Sequence, residues 1–186
     1  MKRVFDFVVG LFIFPFALIP MLLVTFVVLA TSKGPALYWS HRVGRDNVIF
    51  KMPKFRTMRL DTPAVATHLM SDPDDYLSPI GDLLRRSSLD ELPQLWSILN
   101  GDMSFVGPRP ALFNQGDLIL LRTERGVDRL MPGLTGWAQV NGRDTLPIPE
   151  KVALDVEYME RQSLWFDMRI LWLTFLKVLG QDGITH

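Results

Sequence analysis

From Phe7 to Ala30 the chain runs for 24 residues without a charge, FVVGLFIFPFALIPMLLVTFVVLA. About 20 apolar residues are enough to span a bilayer as a helix, so this run predicts a membrane helix. It exceeds the ~7–15 residue apolar core of a cleavable signal, and no A-x-A site closes it. Pro15 and Pro20 lie inside it, and each removes a backbone hydrogen bond from a helix. Divided at Pro20, each arm is about 12 residues or ~18 Å long at 1.5 Å per residue, short of a ~30 Å hydrocarbon core. A re-entrant helix that bends and leaves by the face it entered fits these arms, and a single spanning helix fits the total.

Beyond position 31 the pattern changes. ALYWS, VIFKM and KFRTM within 33–60 predict short strands or extended segments, with turns at Lys33-Gly34-Pro35 and Gly44-Arg45-Asp46-Asn47. Residues 61–79, with Pro63, Pro73 and Pro79 among Asp and Ser, predict a loop with at most a short helix. Leu83, Leu84, Leu92, Leu95, Trp96 and Leu99 predict helix over 80–100. A second helix is expected over 111–130, an irregular Gly/Pro-rich loop over 131–149, and one long helix or two over 150–180. The tail segment LWFDMRILWLTFLKVLG suits a core helix or one lying in a membrane interface, where Trp is favoured. The fold class is therefore α+β and mainly helical: a membrane helix over 1–32 and a small globular domain over 33–186.

Charge sharpens this division. All but Lys2, Arg3 and Asp6 of the 40 charged residues lie beyond position 31. Positive residues stand on both sides of the apolar run, Lys2 and Arg3 before it and Lys33, Arg42, Arg45, Lys51, Lys54, Arg56 and Arg59 after it. Positive residues favour the cytoplasmic side, and a re-entrant helix keeps both groups there. The formal net charge of +0 argues against nucleic acid as a partner, because phosphate-neutralising proteins carry a basic excess. The absence of cysteine excludes disulfides, thiolate–metal sites and a cysteine nucleophile. His41, His68 and His186 share no ligand spacing, and no phosphate-binding P-loop, dinucleotide fingerprint or nucleophile elbow occurs.

Three clusters could carry chemistry. In Leu84-Arg85-Arg86-Ser87-Ser88-Leu89-Asp90-Glu91-Leu92-Pro93-Gln94, two arginines precede two adjacent carboxylates. Ser88 and Glu91 have the spacing of a capping box. The same residues suit a phosphate site at a helix start, where a carboxylate can attack phosphorus or hold a divalent cation. In Gly107-Pro108-Arg109-Pro110 the prolines stiffen an arginine suited to bidentate phosphate contact. The third, Pro132-Gly133-Leu134-Thr135-Gly136-Trp137-Ala138-Gln139-Val140-Asn141-Gly142-Arg143, has the parts to hold a ring and its phosphates, and equally the composition of a structural loop.

Taken together, KRVFDF at 2–7, KFRTM at 54–58, RRSSLDELPQL at 85–95, NGDMSFVGPRP at 100–110 and PGLTGWAQVNGR at 132–143 resemble the bacterial sugar transferase family, the small monotopic phosphoglycosyl transferases, in their minimal catalytic form. The resemblance implies transfer of a phosphosugar from a UDP-sugar to polyprenol (undecaprenyl) phosphate, giving a polyprenyl diphosphate sugar and UMP. It implies a covalent aspartyl-phosphosugar intermediate, Mg2+, and a place in the first membrane step of bacterial glycoconjugate or exopolysaccharide assembly. Carried onto this sequence, it makes Asp90 the nucleophile and a Mg2+ ligand and Glu91 a base or second ligand. Arg85, Arg109, Arg143, Lys54 and Arg56 become phosphate contacts. It implies a catalytic domain with interfacial amphipathic helices on the cytoplasmic face of the inner membrane, touching membrane lipids and with room for a homodimer. Relatives often bend the re-entrant helix at a Ser-Pro pair; here Ile19-Pro20 stands in that place, so the bend at Pro20 lacks the hydroxyl that could satisfy a freed carbonyl.

Overall fold

A computed structural model describes residues 1–62, 73–142 and 145–180. The first element is a helix, α1 (Lys2–Thr31), that stays helical through Pro15 and Pro20. Neither proline ends it, although each leaves the carbonyl four residues earlier without its usual partner. The buried positions of α1 are Asp6, Gly10, Ala17, Val24 and Val28. Their spacing of four and seven draws one narrow stripe along the helix, and that stripe packs on the rest of the chain. The other faces are exposed and apolar, including Phe7, Leu11, Phe12, Phe16, Leu22 and Phe26. Such a surface suits a lipid phase and not water. By length and composition α1 is long and apolar enough to cross a membrane.

After α1 comes a hairpin, β1 (Leu37–Val43) and β2 (Ile49–Phe55), paired antiparallel from Leu37↔Phe55 to Val43↔Ile49. Asp46 and Asn47 turn it with φ of 54° and 59°, a region these two side chains tolerate better than most. Pro53 is accommodated because β2 is an edge strand in the order β2-β1-β4. The helix expected over 80–100 is three pieces: α2 (Gly81–Arg86), a 3-10 turn (Leu89–Glu91) and α3 (Gln94–Asn100). Ser88 takes φ 56°, ψ 16° between the first two, a left-handed conformation that a continuous helix cannot contain.

The remaining elements are β3 (Ser104–Val106), β4 (Ala111–Leu112), α4 (Gly116–Glu124), β5 (Gly133–Thr135), α5 (Trp137–Val140), α6 (Ile148–Arg161) and α7 (Leu164–Gly180). Residues 111–130 thus begin as a strand, and the loop expected over 131–149 holds a strand and a short helix. β3 and β5 run parallel, Ser104 facing Gly133 and Val106 facing Thr135. α7 packs Phe166 and Ile170 into the core, as a core helix would, and leaves Trp165, Met168, Trp172 and Phe175 exposed.

One core cluster gathers Ala17, Met52, Leu95, Ile98, Phe105, Val140, Tyr158, Phe166 and Ile170, and a second joins Val24 and Val28 to Phe55 and Leu84. α1 therefore contributes to both. Gly10 permits its close approach to α3, where a Cβ would meet Leu99 Cδ2 at 3.1 Å. Polar ties fix its start. Lys2 Nζ lies 2.6 Å from Asp167 Oδ2, and Arg3 donates to the carbonyls of Ile98 and Leu99 at the end of α3. Asp6 accepts from the Phe105 amide at 3.2 Å. Asp167 also accepts from the Tyr158 hydroxyl at 2.7 Å, so α1, α6 and α7 share one buried polar network.

Gly133 makes the most demanding approach. A Cβ there would lie 2.1 Å from the Gly107 amide nitrogen and 2.3 Å from the Thr135 carbonyl, both backbone atoms that cannot swing away. At Gly116 a Cβ would meet nothing within 4 Å. Gly133→Ala should lower unfolding stability by about 3 kcal/mol, and Gly116→Ala should change it by less than about 0.5 kcal/mol, measured by thermal unfolding in detergent micelles. Equal effects would show that the Gly107–Gly133 crossing is not tight.

Candidate active site

The 3-10 turn that follows Ser88 carries Asp90 and Glu91 against the end of β2. Lys54 reaches across from β2: its Nζ lies 2.8 Å from Glu91 Oε1 and 4.0 Å from Asp90 Oδ2. Arg109 Nη2 approaches the same Glu91 oxygen at 3.3 Å. Arg85, on the last turn of α2, donates through Nε to Thr57 Oγ1 at 3.1 Å and adds positive potential at Asp90. Arg42 on β1 contributes a fourth positive charge beside Lys54, and its Nη1 donates to the Pro110 carbonyl at 3.1 Å. Lys54, Arg109 and Arg85 face the two carboxylates, and Arg42 stands behind Lys54, a cationic setting that suits an anionic ligand.

The capping-box reading of Ser88 and Glu91 does not hold. Ser88 makes no side-chain cap bond, because its left-handed backbone turns the hydroxyl away from the geometry a capping box needs. Glu91 spends its carboxylate on Lys54 and Arg109 instead. Nor does the dyad open a regular α-helix; it occupies one tight turn.

Burial sets the proton affinities. Asp90 is only 7% exposed. Loss of water pushes its carboxyl above the ordinary carboxylate range, and Lys54, Arg109 and Arg85 pull it back. Burial likewise lowers the Lys54 ammonium, and Glu91 and Asp90 oppose that shift. Each charge is tolerable because the others are present.

Arg109 is held by its backbone. Pro108 accepts from the Gly133 amide at 2.9 Å, and the Gly107 amide donates to Thr135 at 2.9 Å. The glycines of the third cluster therefore build the seat of the second. The side chains of that cluster serve the loop itself. Gln139 donates to Leu134 O at 3.0 Å, Asn141 to Trp137 O at 2.8 Å, and Trp137 Nε1 to Glu157 at 2.8 Å. The Trp137 ring packs on Phe166 with centroids 5.0 Å apart instead of presenting a platform for a ligand ring.

One expected phosphate contact, Arg56, stands apart from the dyad. Arg56 is 5% exposed, and its guanidinium donates to Lys33 O and Ser32 Oγ, both at 2.8 Å. In the structure Arg56 clamps the end of α1, one position past the strand that aims Lys54. Arg143 lies outside the described residues, as do His68, His186 and residues 63–72 of the expected loop. His41 sits exposed on β1 with its ring edge-on to Phe113. Arg42 belongs to the site's surroundings and stands in no motif, so only the strand register could have brought it in; Thr57 belongs to KFRTM at 54–58.

The sequence model of the bacterial sugar transferase family matches residues 1–181. The chain belongs to this family. An uncharacterized sugar transferase of Bacillus subtilis, EpsL, is 38% identical over 187 residues, covering 99% of this chain and 90% of that protein. The UDP-glucose:undecaprenyl-phosphate glucose-1-phosphate transferase of Xanthomonas campestris is 40% identical over 169 residues, covering 87% of this chain and 35% of that protein. The undecaprenyl-phosphate galactose phosphotransferase of Salmonella typhimurium is 35% identical over 201 residues, covering 98% and 41%. This bacterial sugar transferase therefore spans nearly all of the first relative and well under half of the other two.

Among the described residues no group of three or more His, Asp or Glu side chains could hold a metal. The site offers two adjacent carboxylates. That donor set fits Mg2+, which takes hard oxygen ligands and commonly binds through one or two protein carboxylates, completing its shell with substrate phosphate and water.

In metal-free buffer, the Asp90 carboxyl carbon should titrate by NMR above the ordinary carboxylate midpoint. Lys54→Met should move that midpoint higher still, because it removes the nearest cation holding Asp90 ionised. A Lys54→Met midpoint that is unchanged or lower would contradict the electrostatic assignment.

Proposed function

We propose that this bacterial sugar transferase moves a phosphosugar from a UDP-sugar to polyprenol phosphate, with Asp90 as the nucleophile. The observation that carries the proposal is a carboxylate without a short ion pair, Asp90, beside one that has two, Glu91, facing Lys54, Arg85 and Arg109 with Arg42 behind Lys54. The names of the Xanthomonas and Salmonella relatives support the substrates. The diphosphate of the donor brings the negative charge that the cations await.

The first step forms a bond from an Asp90 carboxylate oxygen to the phosphorus bearing the sugar. The bond from that phosphorus to the bridging oxygen breaks, and UMP leaves with the electron pair. In the second step a phosphate oxygen of the lipid attacks the same phosphorus. The bond to Asp90 breaks, restoring the carboxylate and releasing polyprenyl diphosphate sugar. Both nucleophiles already carry negative charge, so neither step needs a base to ionise it. Glu91 is left to fix Lys54 and Arg109 and, with Asp90, to hold Mg2+. When bound, that ion would neutralise phosphate oxygens, the demand of phosphoryl transfer. A covalent step lets one site serve two acceptors in turn.

The lipid phosphate fixes where the site must stand. We place the protein on the cytoplasmic face of the bacterial inner membrane, with α1 dipping into one leaflet. Both ends of α1 support this: Lys2, Arg3 and Asp6 fasten its start to the domain, and Val28, Ser32 and Lys33 fasten its end to the same domain. A helix crossing the bilayer would carry one of its ends to the face opposite the domain, out of reach of these contacts. The missing backbone bonds at Pro15 and Pro20 let such a helix bend, and the Trp165–Trp172 face of α7 fits the headgroup level. A reading of the dyad as a mere helix cap in a non-enzymatic scaffold finds no support in Ser88.

Purified protein with Mg2+, polyprenol phosphate and a panel of UDP-sugars should release UMP with one or more donors. Asp90→Asn should reduce turnover by about a thousandfold or more while leaving the circular dichroism spectrum intact. Release of UDP, or near-normal turnover of Asp90→Asn, would reject the proposal.

A further inference from the structure

The mechanism above uses Arg109 but leaves unused a buried ion pair behind it. Arg122 on α4 is 8% exposed and Asp155 on α6 is 2% exposed. Arg122 Nη2 and Nε lie 2.7 and 3.0 Å from Asp155 Oδ2. The third arm of the guanidinium, Nη1, donates to the Arg109 carbonyl at 2.7 Å. That carbonyl precedes Pro110, which has no N–H, and it lies in a segment whose neighbouring carbonyls are also tied, Pro108 O by the Gly133 amide and Pro110 O by Arg42.

We propose that Arg122 and Asp155 are positioning residues for Arg109. Asp155 fixes the guanidinium plane of Arg122, Arg122 fixes the Arg109 carbonyl, and the rigid Pro108-Arg109-Pro110 backbone converts that into a fixed direction for the Arg109 side chain toward Glu91. A buried guanidinium needs a partner for its third arm in any case, and what matters is where that bond falls. Here it falls on the backbone of the residue whose side chain enters the site. Two facts make the coupling stiff. The planar fork of arginine loses less freedom per bond than an ammonium would, and a buried pair out of water is held more rigidly than a surface one. Lysine at 122 could keep the charge beside Asp155 but could not reach both partners from one plane.

The inference rests on the transferase reading, and its test separates the two. UMP release is measured for the unaltered chain, Arg122→Lys, Asp155→Asn and Arg109→Lys, and for the two double variants with Arg109→Lys. Each of Arg122→Lys and Asp155→Asn should lower kcat/KM for the UDP-sugar by about tenfold to a hundredfold and weaken UDP binding in calorimetry. On the Arg109→Lys background either change should cost less than about twofold, because its effect passes through a side chain already altered. Full additivity in both double variants would overturn the inference and leave the transferase reading standing. If one variant fails to fold, the cycle built on the other decides. No UMP from the unaltered chain with any donor would instead sink the transferase reading, and this inference with it.

Discussion

A carboxylate withdrawn from water stays charged only where cations stand against it, and the arrangement around Asp90 follows from that constraint. Burial raises its proton affinity and Lys54, Arg109 and Arg85 lower it. Glu91 holds two of these cations at the dyad, Lys54 at 2.8 Å and Arg109 at 3.3 Å, while Arg85 is tied to Thr57. The division of labour between two adjacent acids comes from geometry: the tight turn after Ser88 gives one of them to the cations and leaves the other facing them at longer range. The left-handed Ser88, the edge position of β2 and the glycine crossing beneath Arg109 are the backbone devices that make the turn possible.

The same logic extends to α1. α1 is fastened by charges at its start and by Arg56 at its end, with an apolar stripe between. Its apolar outer faces are therefore held at a fixed distance from Asp90. A helix merely tethered by a linker would leave the site free to wander relative to those apolar faces. The buried chain Lys2–Asp167–Tyr158 carries the constraint from α1 into α7, whose exposed tryptophans lie on the opposite face from its core residues.

Much of this was legible in the sequence, for identifiable reasons. The uncharged run at 7–30, the alternating segments of the hairpin and the two C-terminal helices announce themselves by period and composition. The dyad and Arg109 stand in dense motifs. The break at Ser88 was hidden because serine prefers no left-handed conformation; tertiary packing of the dyad on Lys54 overrides a helical pattern. Arg56 resembles Lys54 in charge and spacing, and only the strand's end at Phe55 separates their directions. Arg42, Arg122 and Asp155 belong to no motif, since their roles depend on pairings between elements distant in the chain. The third cluster reads as a binding loop by composition, yet its glycines serve a backbone crossing that no local pattern reveals.

The proposed reaction requires a covalent bond between Asp90 and the sugar phosphate. Intact-protein mass spectrometry after brief exposure to donor and Mg2+, with no lipid acceptor present, tests it directly. The expected result is a mass increase equal to one phosphosugar, mapping to the peptide that holds Asp90 and chased away by polyprenol phosphate. An active enzyme that gains no such mass, or carries it on another residue, would contradict the account.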